Sequence, residues 1–235
     1  MRAYAVAAAL VVSLVAPATS LASLQSALQQ ALRVPHVSVA STGAVVVDLT
    51  TGETVYSQNA SLSLLPASNE KLAVTYAALT ALGPGFRIET DALGEGHQVG
   101  TTWQGDLVLK GYGDPTLSSA DLVDLARQVS AAGITRITGS VLGDESWFDT
   151  FRTAPGWKAS FYISESAPLS ALIVDRGRFG RFTAHDPALA AAQLFRSALV
   201  RAGVRVVGGA QHGTGDDAAE PLASVDSPTI AAIVR

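Results

Sequence analysis

The sequence predicts a mixed α/β (α+β) fold, and three observations carry that expectation. Short β-rich runs bounded by Gly, Pro, Thr and Asp recur along the chain, beginning with "GAVVVDLTTGETVY" at 43–56. Between them lie segments whose apolar residues repeat at helical spacing, as in "DPALAAAQLFRSALVRAG". The 235 residues are 48% hydrophobic and 15% charged, which supplies a core for one or two domains and excludes a disordered chain.

Taken in order, the N-terminus "MRAYAVAAALVVSLVAPATSLAS" has one cation at Arg2, an apolar run and small residues ending in Ser20-x-Ala22. This pattern predicts a signal peptide over 1–22, too short and too polar at its end to span a bilayer, with an uncleaved anchor as the alternative. No later segment reads as transmembrane, so the mature protein is expected outside the cytoplasmic membrane, secreted or in the periplasm or cell-wall space. There is no cysteine, hence neither a disulfide nor a lipid-attachment site.

Residues 43–56 read as a hairpin turning at Thr50-Thr51-Gly52, followed by a polar loop and a helix that starts near Ser68 with Leu72, Tyr76 and Leu79 on its apolar face. Gly83-Pro84-Gly85 stops that helix. Short strands are expected at 88–93 and 106–109, a tight turn at "GYGDP", and a helix over 119–132 burying Leu122, Leu125, Ala126 and Val129. Gly133 ends it and "ITRITGSVLGD" supplies another strand, so 86–165 reads as an inserted βαβ-like module. "SAPLSALIVDRGRF" is strand-like; then Asp186, Pro187 and Gly203 supply the N-cap, first position and C-cap region of a helix. Residues 213–220 read as a surface loop, and "SPTIAAIVR" as the start of a helix with Ile230, Ile233 and Val234 on one face.

Within the Ser68 helix, Lys71 is out of place as a structural element. The helix N-terminus carries the positive end of the macrodipole, where acidic side chains are favoured, and a capping box needs Glu or Gln at this offset. As chemistry the placement makes sense. Positions i and i+3 share a face with Cβ atoms roughly 5–6 Å apart, so Lys71 Nζ can reach Ser68 Oγ. A positive helix end disfavours the ammonium form, and an unprotonated amine is a general base for a serine hydroxyl. Ser-x-x-Lys alone arises by chance about once in a chain of this length. With only three lysines here, and with a hairpin and loop leading into it, the motif matches the arrangement of penicillin-recognising serine enzymes.

Other chemistries are poorly supported. The net charge of −4 and sequence pI near 5.5 give no basic field for nucleic acid. His36, His97, His185 and His212 lie far apart without metal-ligand spacing, so neither a metal nor an organic cofactor is implied. Asp144 and Glu145, adjacent in a loop, are expected to point apart and to be solvated.

The motif "PASNEKL", with "LKGYGDPTL", "ITGSVLGDESWFD", "PGWKASFY", "APLSALIVDRG" and "DPALAAAQLFRSALVRAGVRV", resembles the D-alanyl-D-alanine carboxypeptidase/endopeptidase family of low-molecular-mass class C penicillin-binding proteins. The resemblance implies a serine β-lactamase/DD-peptidase-like transpeptidase fold carrying an inserted small α/β domain. It divides the chain into 23–85 with the nucleophile motif, the insertion 86–165, and a return over 166–235. It makes Ser68 the acylated nucleophile and Lys71 its base, peptidoglycan stem peptides the substrate, and β-lactams covalent inhibitors. The family's Ser-x-Asn and Lys-Thr-Gly elements do not follow Ser68, the only asparagines being Asn59 and Asn69. The fold is therefore expected to be incomplete at the C-terminus, and these 235 residues inactive by themselves. The alternatives are a non-catalytic wall-binding or interaction protein derived from the family and, less well supported, a β-lactamase.

Overall fold

The computed structural model describes residues 21–235, so the expected signal segment lies outside the described residues but for its last two positions. The described residues form two compact units, one ending at Lys71 and the other beginning at Leu72. No helix among them is long and apolar enough to cross a membrane.

The first unit opens with a helix that the sequence reading did not anticipate, α1 (Leu21–Ala31). Strands β1 (Ala44–Val47) and β2 (Thr54–Gln58) then pair antiparallel, Ala44 opposite Gln58. The turn between them is the expected one. Asp48 Oδ1 accepts the Thr50 amide at 2.7 Å, and Gly52 takes φ 74°, a left-handed conformation that glycine adopts without a Cβ clash. Asn59 Nδ2 donates to the carbonyls of Val39 and Thr42, both at 2.9 Å, and so fastens the loop ahead of β1. Helix α2 (Glu70–Ala81) carries the chain from the first unit into the second.

The second unit is built on one sheet. Strands β3 (Glu89–Val99) and β4 (Thr102–Gly111) form a long antiparallel hairpin. Helix α3 (Ser119–Ala131) crosses back to β5 (Arg136–Ile137) and β6 (Val141–Asp144), which pair in succession, parallel, along the same edge of β4. A small hairpin follows, β7 (Arg178–Phe179) with β8 (Phe182–Thr183), outside the sheet. Helix α4 (Pro187–Arg201) leads to β9 (Arg205–Val206) and β10 (Ala210–His212), parallel to β5 and β6. Strand β11 (Glu220–Asp226) closes the opposite edge against β3, and the one-turn helix α5 (Ile230–Ile233) follows. The sheet thus draws strands from both 86–165 and 166–235.

The helices form where the sequence predicted them because their ends are satisfied locally. Ser118 and Asp121 make a reciprocal capping box on α3, and Asp186 Oδ1 accepts the Leu189 amide at 2.9 Å on α4. Helix α3 buries Leu122, Leu125, Ala126 and Val129, the four residues its periodicity singled out. With Phe195 and Leu199 of α4 they cover Trp103, Leu107 and Leu109 of the hairpin, all at most 1% exposed. The close fit depends on glycine at Gly143, where a Cβ would stand 2.1 Å from the Ala188 carbonyl oxygen of α4.

Three expectations need correction. The hairpin strands are about twice as long as the short runs expected, because Gly94, Gly96 and Gly105 sit inside the strands without ending them. The Trp103 indole lies over Gly94, where any Cβ would collide with it. Strand β11 was not foreseen, since Pro221 at its start resembles a breaker; it sits on the sheet's edge, where a missing donor is tolerated. Conversely, "SAPLSALIVD" joins no strand of the sheet. It is largely buried, but its backbone bonds go to turns: the Ala171 carbonyl accepts from Gly113 and the Asp175 amide donates to the Leu117 carbonyl.

Candidate active site

Ser68 lies in a single 3-10 turn, Ala67–Asn69, that runs directly into α2. Pro66 sets the helical φ that opens the turn, and no side chain caps it. Ala67 is held at φ 45°, left-handed for a residue with a Cβ, which costs about 1–2 kcal/mol. No sequence signal announces this, because alanine does not favour that conformation. Lys71 follows in the first turn of α2, and its Nζ stands 3.5 Å from Ser68 Oγ. Both residues are exposed, so water can reach the pair. Farther along α2, Leu72 and Tyr76 are 72% and 73% exposed, while Leu79 is half-buried.

The second unit holds an ionic cluster that sequence reasoning missed. Asp144 and Glu145 do point apart, as expected, but both are buried rather than solvated. Asp144 Oδ2 pairs with Lys110 Nζ at 3.5 Å and accepts the Gly215 amide at 3.0 Å, while Oδ1 accepts the Ser146 amide at 2.8 Å. Burial alone would push this carboxyl up; the Gly215 and Ser146 hydrogen bonds, with Lys110, outweigh it and hold it below the usual carboxylate range. Next to it, Tyr112 donates to Asp91 Oδ2 at 3.1 Å and packs edge-on against Trp147. Burial, then the neighbouring Asp91 charge, pushes the Tyr112 phenol up to about 12, and burial with the nearby Glu89 charge raises the Asp91 carboxyl.

Glu145 is gripped by both ends of the Arg152 guanidinium, whose own ionisation this hydrogen bonding strengthens. His212, expected to be an isolated surface histidine, bridges two carboxylates: Nδ1 is 3.0 Å from Asp186 and Nε2 3.3 Å from Glu145. Burial works against the Asp186 charge, but the Leu189 amide and His212 together keep this carboxyl below its ordinary range. Glu145, Asp186 and His212 bring three metal-ligand atoms within 4.8 Å of one another. Arg152 already neutralises Glu145, so we read the group as an ion-pair network tying β10 and α4 to the loop after β6. Its members come from residues 145, 152, 186 and 212, and no local motif announces such spacing.

Residues 24–184 match the family described as D-Ala-D-Ala carboxypeptidase 3 (S13), a span that includes Ser68 and Lys71. The chain belongs to this family. It is 38% identical over 158 residues to a D-alanyl-D-alanine carboxypeptidase of Actinomadura sp. (strain R39), covering 67% of this chain and 29% of the relative. Carboxypeptidase DacB of Mycolicibacterium smegmatis is 34% identical over 206 residues, 80% of this chain and 43% of that protein. The S13 chain described here therefore spans less than half the length of these curated relatives. Among solved structures, penicillin binding protein 4 of Haemophilus influenzae superposes with a TM-score of 0.70 at 19% identity, over 80% of this chain and 56% of that one. That likeness establishes the DD-peptidase fold. The same protein has also been solved in complex with a β-lactam, with a TM-score of 0.66 over 87% of this chain and 58% of that one, at 19% identity.

Proposed function

We propose that this chain carries the nucleophile of an extracytoplasmic serine-type D-Ala-D-Ala carboxypeptidase acting on peptidoglycan stem peptides. The observation that carries the reading is the approach of Lys71 Nζ to within 3.5 Å of Ser68 Oγ at the start of α2, in a member of the S13 family. In this scheme the Lys71 amine takes the Ser68 proton as Oγ bonds to the carbonyl carbon of the penultimate D-Ala. The tetrahedral intermediate collapses by breaking the C–N bond, and Lys71 returns the proton to the departing D-Ala amine. Water, deprotonated in the same way, then cleaves the ester and restores the serine. A positioned base of this kind contributes about 10² to 10⁴ in rate. No side chain caps the turn that holds Ser68, so the positive helix end there would favour a developing oxyanion.

A β-lactam would acylate the same oxygen and leave slowly, a reading supported by the β-lactam complex of the Haemophilus influenzae protein. The leader-like N-terminus supports work outside the cytoplasmic membrane. The test is release of D-alanine from a peptide ending in D-Ala-D-Ala, using the protein produced from its own gene. Release that disappears in Ser68→Ala is expected; equal release by that variant would remove Ser68 from the reaction.

A further inference from the structure

In the second unit, the segment "DRGRFGRF" forms a feature that the peptidase reading does not use. Strands β7 and β8 are two residues each and turn at Gly180-Arg181, with Phe179 directly opposite Phe182. Opposite residues of an antiparallel pair share a face, so the two rings stand together on one side of the hairpin. Phe182 is 79% exposed and Phe179 39%. Arg178 opens the first strand, Arg181 occupies the turn and Arg176 precedes the hairpin, all three exposed. None of the three guanidiniums has an ion-pair or hydrogen-bond partner among the described residues.

Beside the hairpin an open pocket of about 450 Å³ is lined by Thr116, Ser118, Asp175, Arg176 and Arg178. Asp175 is occupied: both of its carboxylate oxygens accept from Ser119, one from the amide at 3.1 Å and the other from the hydroxyl. The Thr116 and Ser118 hydroxyls already donate to Asp114 and Asp121, which leaves the two arginines to meet a ligand. Three unpartnered arginines against the single carboxylate of Asp175 give this surface a local charge of +2 on a chain of net charge −4, which selects an anionic partner. Guanidinium forks match phosphate oxygens in pairs. The paired phenylalanines distinguish a lipid from a soluble polyanion, because exposed rings gain by entering the region beneath phosphate headgroups and gain little from a hydrated polymer.

We propose that the β7–β8 hairpin and the adjoining pocket dock the protein on an anionic phospholipid surface, with Phe179 and Phe182 entering the headgroup layer and Arg176, Arg178 and Arg181 pairing lipid phosphates. The inference is independent of Ser68 and survives or fails apart from the peptidase reading. The test is flotation of the protein with vesicles of phosphatidylglycerol and phosphatidylcholine, against phosphatidylcholine alone, at low and high salt. The variants are Phe182→Ser, the double change Arg178→Ser with Arg181→Ser, and Arg127→Ser as a control at another exposed arginine.

Expected are binding to the anionic vesicles, a drop of about tenfold or more in the arginine double variant, and no change in the control. Phe182→Ser should retain part of the low-salt binding and lose it at high salt. Absence of binding, equal binding to pure phosphatidylcholine, or an arginine variant indistinguishable from the control would overturn the proposal. So would equally tight binding to soluble polyphosphate that Phe182→Ser leaves unchanged, which would assign the surface to a polyanion instead.

Discussion

Replacing Asp144 with Asn tests how the ionic cluster supports the second unit. The substitution preserves shape but removes a charge that is fully shielded from solvent and holds two amides and Lys110. The asparagine oxygen can still accept from Ser146, at 2.8 Å in the parent. Its NH₂ group then faces two other donors, the Gly215 amide and the Lys110 ammonium. One charge-assisted hydrogen bond is lost, worth about 1.5–3 kcal/mol, and a buried amide is left unsatisfied. Lys110 is 18% exposed at its side chain and can turn partly to water, which keeps the loss near the lower end of the cost of breaking a buried pair. We expect about 3 kcal/mol, or a fall in Tm of roughly 6–12 °C for a folded unit of this size.

The sign with pH follows from the depressed Asp144 carboxyl. Its folded pKa lies below the unfolded value near 3.9, so its stabilisation is complete above that value and is lost as pH falls through the folded one. Thermal melts of parent and Asp144→Asn followed by circular dichroism should differ fully at pH 7 and converge below about pH 4. A difference under about 2 °C at pH 7, or one that persists unchanged into acid, would refute the argument.

The packing of α4 offers two further tests. Phe195→Ala, at a fully buried position, should cost about 3–5 kcal/mol in urea titration, and a loss below about 1 kcal/mol would mean that the core is not closed there. Gly143→Ala forces a methyl against the Ala188 carbonyl and should destabilise by about 1–3 kcal/mol although the side chain is apolar; a neutral result would show that α4 can shift. Asp186→Ala removes the α4 cap together with the His212 contact, for about 1 kcal/mol or more at pH 7, whereas Asp186→Asn should recover the capping part alone. Because the Asp186 carboxyl is also depressed, the alanine deficit should shrink as pH falls through its folded pKa, and a deficit growing in acid would contradict the assignment.

Elements whose ends and faces are encoded locally were readable from the sequence. The Asp186-Pro187 start of α4, the four-residue buried face of α3 and the Thr50-Thr51-Gly52 hairpin each place cap, face or turn residues within a few positions. Local signals misled where a residue's partner was distant. Gly94 and Gly105 look like strand breakers until Trp103 and the facing backbone are seen to need the space. Lys110 meets Asp144, and His212 meets both Glu145 and Asp186, across intervals that only the sheet topology closes. The Ser68–Lys71 pair was legible because three positions on one helical turn suffice to bring the groups together. The strained Ala67 before it was not, since its conformation is imposed by the turn and by no preference of its own.

The most direct test of the central claim is acylation by a labelled penicillin, using the protein produced from its own gene, with the adduct located by peptide mass mapping. The account predicts one label on the peptide containing Ser68, none in Ser68→Ala, and acylation slowed about 10² to 10⁴-fold in Lys71→Ala with the label still on Ser68. A label on another residue, or Lys71→Ala acylated at the parent's rate, would contradict it.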